Sequence, residues 1–201
     1  MISAILLAAG QSKRMNGKNK LTKKIYGLPL IKHSIKNILN APINELIIVV
    51  GHEKEIIKKL INNNKKIKIV FNKKFKSGMA SSIKAGLRKL SKKTDAFFIC
   101  LGDMPKINYY KRIIYWYELN LKFNKKLYLT KNKKEIFVPI YKKRQVNPIL
   151  FTKSMKKKIM HISGDVGAKS LLKIYKKKIF RVCIDDFNLA KDFDKPNDFN
   201  I

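Results

Sequence analysis

The chain has few of the features on which small secreted proteins and membrane proteins depend. Among its 201 residues are only two cysteines, Cys100 and Cys183, which lie far apart in separate apolar runs. Neither a disulfide framework nor a C-x-x-C metal or redox pair is therefore expected. The longest uncharged apolar run, residues 2–10, is under half the ~20 residues of a membrane helix. It is also a poor signal peptide because its basic residues follow it. We expect a reduced, cytoplasmic protein with no membrane partner.

Acidic residues are also scarce: 13 Asp and Glu stand against 46 Lys and Arg, for a formal net charge of +33. A charge of this size is typical of proteins that bind nucleic acid or an anionic membrane surface. The excess, however, is almost all lysine and comes with many isoleucines and asparagines, whose codons are likewise A/T-rich. It is also spread over separate segments without a recognition motif. We interpret it mainly as a solvated surface and predict no specific nucleic-acid partner, with a polyanion-binding patch as the alternative.

Apolar runs recur along the whole chain, with periodicities that alternate between strand and helix. Strands are predicted at residues 3–8, 45–50, 67–71, 96–101, 136–141 and 179–184, with a further short segment at 148–151. Helices are predicted at residues 29–39, 53–61, 79–90, 109–123, 153–160 and 166–175. Near-continuous apolar strands separated by helices indicate an α/β fold, with a mostly parallel sheet covered by helices on both faces. No repeat or linker divides the chain, so residues 1–201 are predicted to form a single domain.

In an open α/β sheet, ligands bind beyond the carboxyl ends of the strands. The loop after the first strand is polar and basic, with a glycine turn at Gly10 followed by Arg14 and Lys20. Small residues let backbone N–H groups approach a phosphate, and two fixed cations suit a triphosphate. The loop is neither a G-x-G-x-x-G dinucleotide fingerprint nor a Walker A loop, since no G-K-[ST] closes it. Its chemistry alone leaves a basic surface loop as the alternative.

The order of residues in this loop carries more information than its composition. Residues 7–21 read Leu-Ala-Ala-Gly-x-Ser-x-Arg-Met-x-Gly-x-Asn-Lys-Leu, which resembles the signature loop of the MobA-like nucleotidyltransferases, in particular the molybdenum cofactor cytidylyltransferases. Further matching segments follow in the same order at residues 51–52, 78–83, 101–105, 147–151, 164–168 and 192–199. The resemblance covers essentially the whole chain. It implies a Rossmann-like nucleotidyltransferase fold and the transfer of CMP from CTP to the terminal phosphate of molybdenum-loaded molybdopterin, releasing pyrophosphate.

The resemblance also implies roles for individual residues. Asp103 follows a buried strand and would hold Mg²⁺, with Mn²⁺ as the alternative, against the triphosphate, as a hard carboxylate can. Seen alone, Asp103 is equally consistent with a turn or N-cap residue. Asp194 would be a second carboxylate at the metal, with three neighbouring acids as alternatives. Arg14 and Lys20 would neutralise the charge that grows on the reacting phosphates. The nucleophile is already an anion, so no general base is required.

The resemblance places a further set of residues at the nucleotide: Leu7, Ala8, Ala9, Gly10, Gly51, Gly78, Ser81, Ser82, Asn147 and Asp165. Ser81, Ser82 and Asp165 also have an ordinary structural interpretation as helix caps. The three histidines are not spaced as metal ligands.

Family comparison favours CTP as the donor. The first loop begins Ala8-Ala9-Gly10, where related guanylyltransferases have Ala-Gly-Gly, and Asn19 stands where they usually carry Asp. The implied partners are CTP and molybdenum-loaded molybdopterin, with delivery of the product to a xanthine-dehydrogenase-type molybdoenzyme or its chaperone. A guanylyltransferase or a sugar-phosphate nucleotidyltransferase stays open as an alternative. A more distant one is a non-catalytic, lysine-rich nucleic-acid binder on the same scaffold.

Overall fold

A central β-sheet organises the chain in the computed structural model, which describes residues 1–15, 19–126, 133–165 and 167–199. The strands, in chain order, are β1 (Ile2–Ala8), β2 (Lys24–Ile25), β3 (Leu28–Pro29), β4 (Glu45–Val50), β5 (Ile67–Phe71), β6 (Ala96–Leu101), β7 (Ile136–Tyr141), β8 (Arg144–Gln145), β9 (Ile149–Thr152) and β10 (Ile179–Cys183). β2 and β3 form a small separate hairpin, which the sequence analysis did not predict.

The strand order of the main sheet is β10-β7-β9-β6-β1-β4-β5, with the short β8 paired to β7. β1 runs parallel to its neighbours β4 and β6, β5 is parallel to β4, and β10 is parallel to β7. Within the described part of the main sheet, β8 and β9 run antiparallel to the strands they pair with. The expectation of a mostly parallel sheet is confirmed. The predicted segment at 148–151 corresponds to β9, one of the two strands that make the sheet mixed.

Helices cover both faces of the sheet: α1 (Leu30–Leu39), α2 (Lys54–Leu60), α3 (Met79–Lys89), α4 (Tyr110–Lys126), α5 (Met155–Ile159) and α6 (Ser170–Ile174). Apolar residues of α1, α2 and α4 are buried in one core, and those of α3, α5 and α6 in a second. The strands supply both cores because successive side chains point to opposite faces, as Ala4 and Ile5 of β1 do. No helix in the described ranges is long and apolar enough to cross a membrane.

The last two helices are shorter than predicted. α5 begins at Met155 and α6 at Ser170, whereas the sequence predicted residues 153–160 and 166–175. The predicted first residue of the second of these, Val166, lies outside the described residues. Residues 167–169 form turns before α6 instead of its first helical turn, and the carbonyl of Gly167 accepts both the amide and the hydroxyl of Ser170.

A buried carboxylate joins three segments at the edge of the sheet where β1 and β4 begin. Glu45 is only 3% exposed. Its Oε1 accepts hydrogen bonds from the hydroxyl of Ser3 at 2.8 Å and from the amide of Ser91 at 2.9 Å. Its Oε2 accepts from the ammonium of Lys68 at 3.0 Å. Burial raises the pKa of Glu45, but these hydrogen bonds and the Lys68 charge outweigh it and bring that pKa below its usual value.

This arrangement predicts an acid-dependent loss of stability. A depressed pKa means that the Glu45 carboxylate stabilises the fold fully above its unfolded pKa, near 4.5. That contribution disappears as the pH falls through the lower folded pKa. Glu45→Gln is expected to lower the free energy of unfolding at pH 7 by about 2 kcal/mol and to flatten its pH dependence below about pH 4.5. Chemical denaturation from pH 3 to 7 measures both. Glu55→Gln, in an exposed ion pair with Lys58, is the control and should change stability by less than ~0.5 kcal/mol.

Candidate active site

A cleft of about 690 Å³ lies beyond the carboxyl ends of β1 and β6. These ends meet at one edge because the two strands are parallel neighbours. The cleft is lined by the loop after β1, the segment that enters α3, the end of β6 and two distant aspartates, Asp165 and Asp194. Two smaller cavities, of about 360 and 390 Å³, are lined by none of the predicted site residues. The cleft is therefore at the edge of the sheet where the sequence predicted the site.

At the floor of the cleft, one lysine contacts two carboxylates from distant parts of the chain. The ammonium of Lys20 donates hydrogen bonds to Oδ2 of Asp103 and to Oδ1 of Asp194. The side chains of Lys20 and Asp103 are only 16% and 15% exposed. Asp194 is brought there by its neighbour, because the amide of Phe193 donates to the carbonyl of Asp103 at 3.0 Å. Three of the residues to which the sequence analysis gave catalytic or metal-binding roles thus form one cluster.

Burial and opposite charge shift the pKa values in this cluster. Burial lowers the pKa of Lys20, but the charges and hydrogen bonds of Asp103 and Asp194 outweigh burial and raise that pKa above its usual value. Burial raises the pKa of Asp103, and the Lys20 ammonium opposes this change. We take the pair as ionised, since the two groups form a direct salt bridge. A further cation beside Asp103 would lower the electrostatic cost of keeping that carboxylate charged.

The cluster fits a divalent cation such as Mg²⁺. Oδ1 of Asp103 is buried and has no hydrogen-bond partner in the structure, so this hard oxygen is available for a further contact. No group of three or more His, Cys, Asp or Glu side chains converges as a metal cage within the described ranges. Asp103 and Asp194 supply two carboxylates, and Mg²⁺ at a nucleotide takes one or two carboxylates and completes its shell with water and phosphate oxygens.

The loop after β1 carries Arg14, the second basic residue to which the sequence analysis gave a catalytic role. Arg14 forms a salt bridge with Asp194 at 3.0 Å, with its side chain 72% exposed. An exposed pair of this kind contributes little to stability, so the guanidinium can exchange the carboxylate for a phosphate at small cost. The amide of Lys20 donates to the hydroxyl of Ser12 at 3.1 Å, which brings the two ends of the loop together. Residues 16–18, which belong to the predicted signature, lie outside the described part of the chain.

The wall opposite the loop is built around Gly78. This residue has φ +99° and ψ 174°, in a region that only glycine adopts readily. The next two amides bind the segment at residues 164–165: Met79 donates to Oδ1 of Asp165 at 3.2 Å, and Ala80 donates to the carbonyl of Gly164 at 3.2 Å. The sequence analysis gave Asp165 either a place at the nucleotide or a cap role at the start of the last helix. Its carboxylate accepts a hydrogen bond from an amide in the first turn of α3, and Asp165 lines the cleft.

The two predicted serines are held by an asparagine that the sequence analysis did not identify. Asn72, which directly follows β5, is buried, and its amide donates to the hydroxyls of Ser81 at 2.8 Å and Ser82 at 3.0 Å. Ser81 also donates to the carbonyls of Lys74 and Gly78. Its position, as a polar residue at the carboxyl end of a strand, is the sequence signal by which Asn72 would have been identified.

Most of the predicted residues line the cleft, and a few do not. The lining includes Leu7, Ala9, Gly10, Arg14, Lys20, Gly78, Ser82, Asp103, Asp165 and Asp194. Ala8, Gly51, Ser81 and Asn147 lie outside it. Gly51 packs against Ala9 and Phe75, with no room for a side chain. Asn147, two residues before β9, accepts a hydrogen bond from the hydroxyl of Tyr109 through its carbonyl. Several lining residues were not predicted: Gln11, Lys13, Phe75, Lys76, Ser77 and Met79.

Comparison with known proteins agrees with this geometry. The family described as the MobA-like NTP transferase domain matches residues 4–179. Among curated proteins, the bifunctional protein GlmU of Bartonella bacilliformis is 36% identical over 107 residues, which are 53% of this chain and 24% of GlmU. The chain thus spans about a quarter of that relative's length.

Solved structures share the fold over nearly the whole chain. Rv0371c of Mycobacterium tuberculosis superposes with a TM-score of 0.81 at 20% identity, covering 98% of this chain and 95% of that one. A complex of Rv0371c with manganese superposes with a TM-score of 0.76 at 17% identity, covering 98% and 95%. A nucleotidyl transferase from Methanothermobacter, Mth528, has a TM-score of 0.78 at 17% identity and covers 99% and 94%. At these identities the likeness establishes the α/β fold.

Proposed function

The chain belongs to the MobA-like NTP transferase family, and from that premise we propose that it transfers CMP from CTP to the terminal phosphate of molybdenum-loaded molybdopterin. An oxygen of the acceptor phosphate attacks the α-phosphorus of CTP. The bond from that phosphorus to the bridging oxygen of the β-phosphate breaks, and pyrophosphate leaves with the electron pair. The products are molybdopterin cytosine dinucleotide and pyrophosphate, and no covalent enzyme intermediate forms.

The Lys20–Asp103–Asp194 cluster at the floor of the cleft is the observation that supports this proposal most strongly. Asp103, with its partnerless buried oxygen, and Asp194 would hold Mg²⁺, which draws electron density from the phosphates when it is bound. Rv0371c has been crystallised with manganese, and we propose that Mn²⁺ can replace Mg²⁺ in this chain.

Two basic side chains, Lys20 of the cluster and the neighbouring Arg14, would contact the phosphates directly. Lys20 is oriented by two carboxylates and neutralises charge on the transferred phosphoryl group. Arg14, exposed at the mouth, would hold the leaving pyrophosphate. Gly10 lies in open space, so the backbone there can approach a phosphate closely. Phosphoryl-type transfer requires little beyond such positioning and charge stabilisation, which agrees with a site that contains no histidine or cysteine among the residues lining the cleft.

The choice of CTP is tested by measuring pyrophosphate release with molybdenum-loaded molybdopterin and Mg²⁺, using CTP, GTP, ATP and UTP side by side. We expect kcat/KM for CTP to exceed that for each other nucleotide by at least about tenfold, since contacts to the base edge discriminate by roughly that factor or more. Preference for GTP would keep the reaction and overturn the assignment made from Ala9 and Asn19. Turnover only with a sugar phosphate as the acceptor would replace molybdopterin in the proposal.

A further inference from the structure

A basic hairpin projects from the same edge of the sheet as the catalytic cluster. β7 and β8 are joined by Lys142 and Lys143, and Tyr141 pairs with Arg144 across the turn. All three basic residues are exposed. The family resemblance assigns no role to these residues, and none of them lines the cleft described above. We call the three residues 142–144 the hairpin tip.

The sheet register fixes where the hairpin tip lies relative to Asp103. Leu150 of β9 pairs with Phe98 of β6 on one side and with Phe137 of β7 on the other, so those two phenylalanines are level. Counting along the parallel strands β6 and β7, Asp103 is level with Lys142. The two strands are separated by β9 alone, so two strand spacings, about 10 Å, separate the positions.

The backbone of the tip is unusual for lysine. Lys142 and Lys143 have φ values of 41° and 68°, as the two central residues of a type I′ turn require. Asparagine and glycine adopt this conformation readily, whereas lysine is strained in it. The A/T-rich codon usage that accounts for the lysine content elsewhere does not account for lysine here, because asparagine codons are equally A/T-rich. Backbone strain retained beside an active site indicates a function for the side chains that cause it.

A partly exposed aromatic pair, Tyr141 and Phe187, lies beside the tip. The rings of Tyr141 and Phe187 lie 5.7 Å apart, Phe187 is 38% exposed, and the ammonium of Lys142 is 5.5 Å from the centre of the Tyr141 ring. Six residues further along the chain, Phe193 is hydrogen-bonded to Asp103. The aromatic pair and the catalytic cluster are therefore tied to each other by one short segment.

On the basis of the proposed function, we propose that the hairpin tip and this aromatic pair bind the distal part of the acceptor. The nucleotide cleft extends from Asp103 past the end of β1 to the segment at residues 75–79 that leads into α3, so an in-line attack brings the acceptor from the opposite side, over β9 and β7. An acceptor whose phosphate reacts at Asp103 reaches the tip if it extends about 10 Å. The substrate class is an elongated phosphomonoester with a planar ring and further negative charge. The ring would stack on the aromatic pair, and the negative charge would bind Lys142, Lys143 and Arg144.

The test replaces the strained lysines by the residues that the turn prefers, Lys142→Asn with Lys143→Gly. The same pair of changes at Lys92 and Lys93, in an exposed turn before β6, is the control with equal loss of charge. In steady-state assays with CTP, Mg²⁺ and molybdenum-loaded molybdopterin, the hairpin variant should raise the KM for molybdopterin by at least about tenfold. The KM for CTP should change by less than about twofold, and the melting temperature should stay level or rise, since strain is relieved. The control should match the wild type.

The outcomes separate this inference from the proposed function. Turnover by the wild type with an unchanged molybdopterin KM in the hairpin variant overturns the inference and leaves the proposed function standing. Failure of the wild type to turn over molybdopterin overturns the proposed function. Binding of FMN, a fluorescent phosphomonoester with a planar ring, then decides the inference by fluorescence anisotropy. Binding weakened at least about fivefold in the hairpin variant but not in the control supports it, and equal or absent binding overturns it.

Discussion

Replacing Asp103 by asparagine is expected to lower kcat for pyrophosphate release by at least about a thousandfold while the protein stays folded. The change keeps the size of the side chain and removes its charge. In the structure, one oxygen of this carboxylate is bonded to Lys20 and the other is buried without a partner. An amide in that position cannot supply the anionic oxygen that Mg²⁺ requires beside a triphosphate.

The control for this variant lies at the other end of the same strand. Asp95 immediately precedes β6, is exposed, and pairs with the amino terminus at 2.6 Å, so Asp95→Asn removes an equal charge far from the cleft. Its kcat should stay within about twofold of the wild type, since an exposed pair contributes little. Lys20 keeps Asp194 as a partner in Asp103→Asn, and the melting temperature should therefore fall by only a few degrees. Near-normal turnover in a folded Asp103→Asn protein would remove Asp103 from the reaction.

The strands that form the site were predictable because their sequence pattern is local. β4, β5, β6 and β7 begin and end where the sequence analysis placed them. Each is composed mainly of apolar, β-branched or aromatic residues and is bounded by polar or turn residues, a composition that favours strands. Parallel strands bring their carboxyl ends together, so the edge of the sheet that carries the cleft followed from the same pattern.

The contacts that complete the site depend on residues too distant for any local pattern to pair. Lys20 and Asp194 are 174 positions apart, and the sequence left three neighbouring acids as alternatives to Asp194. The hydrogen bond from the Phe193 amide to the Asp103 carbonyl is what brings Asp194 to Lys20. The side-chain amide of Asn72 donates hydrogen bonds to the hydroxyls of Ser81 and Ser82 across a loop. The turn at the hairpin tip could not be predicted for another reason. The usual sequence signal of a type I′ turn is Asn-Gly, and two adjacent lysines do not indicate one. The order of the motifs was enough to name candidate site residues. The contacts of each residue depend on tertiary packing, which the sequence pattern does not contain.

The second large effect, on both stability and CTP use, is expected when Gly78 gains the single methyl group of alanine. Gly78→Ala should lower the melting temperature by about 6–12 °C and kcat/KM for CTP by at least about a hundredfold. A Cβ at this position would lie 2.5 Å from the carbonyl carbon and oxygen of Gly164 and 2.6 Å from the amide nitrogen of Asp165. All three are backbone atoms, which cannot turn aside as a side chain can. The segment at residues 164–165 would have to move, and the hydrogen bonds from Met79 and Ala80 would be lost with it.

Gly164→Ala separates this clash from backbone strain. Gly164 also has a positive φ, +67°, but a Cβ there meets nothing within 4 Å. Its replacement therefore carries conformational strain alone, about 1–2 kcal/mol, and should lower the melting temperature by about 2–8 °C with kcat/KM for CTP within a few fold of the wild type. Thermal melts and CTP kinetics on the two variants distinguish the causes. If Gly164→Ala impairs CTP use as severely as Gly78→Ala, the wall of the cleft depends on glycine flexibility at both turns. If only Gly78→Ala does, the close approach of α3 to residues 164–165 is what shapes the nucleotide site.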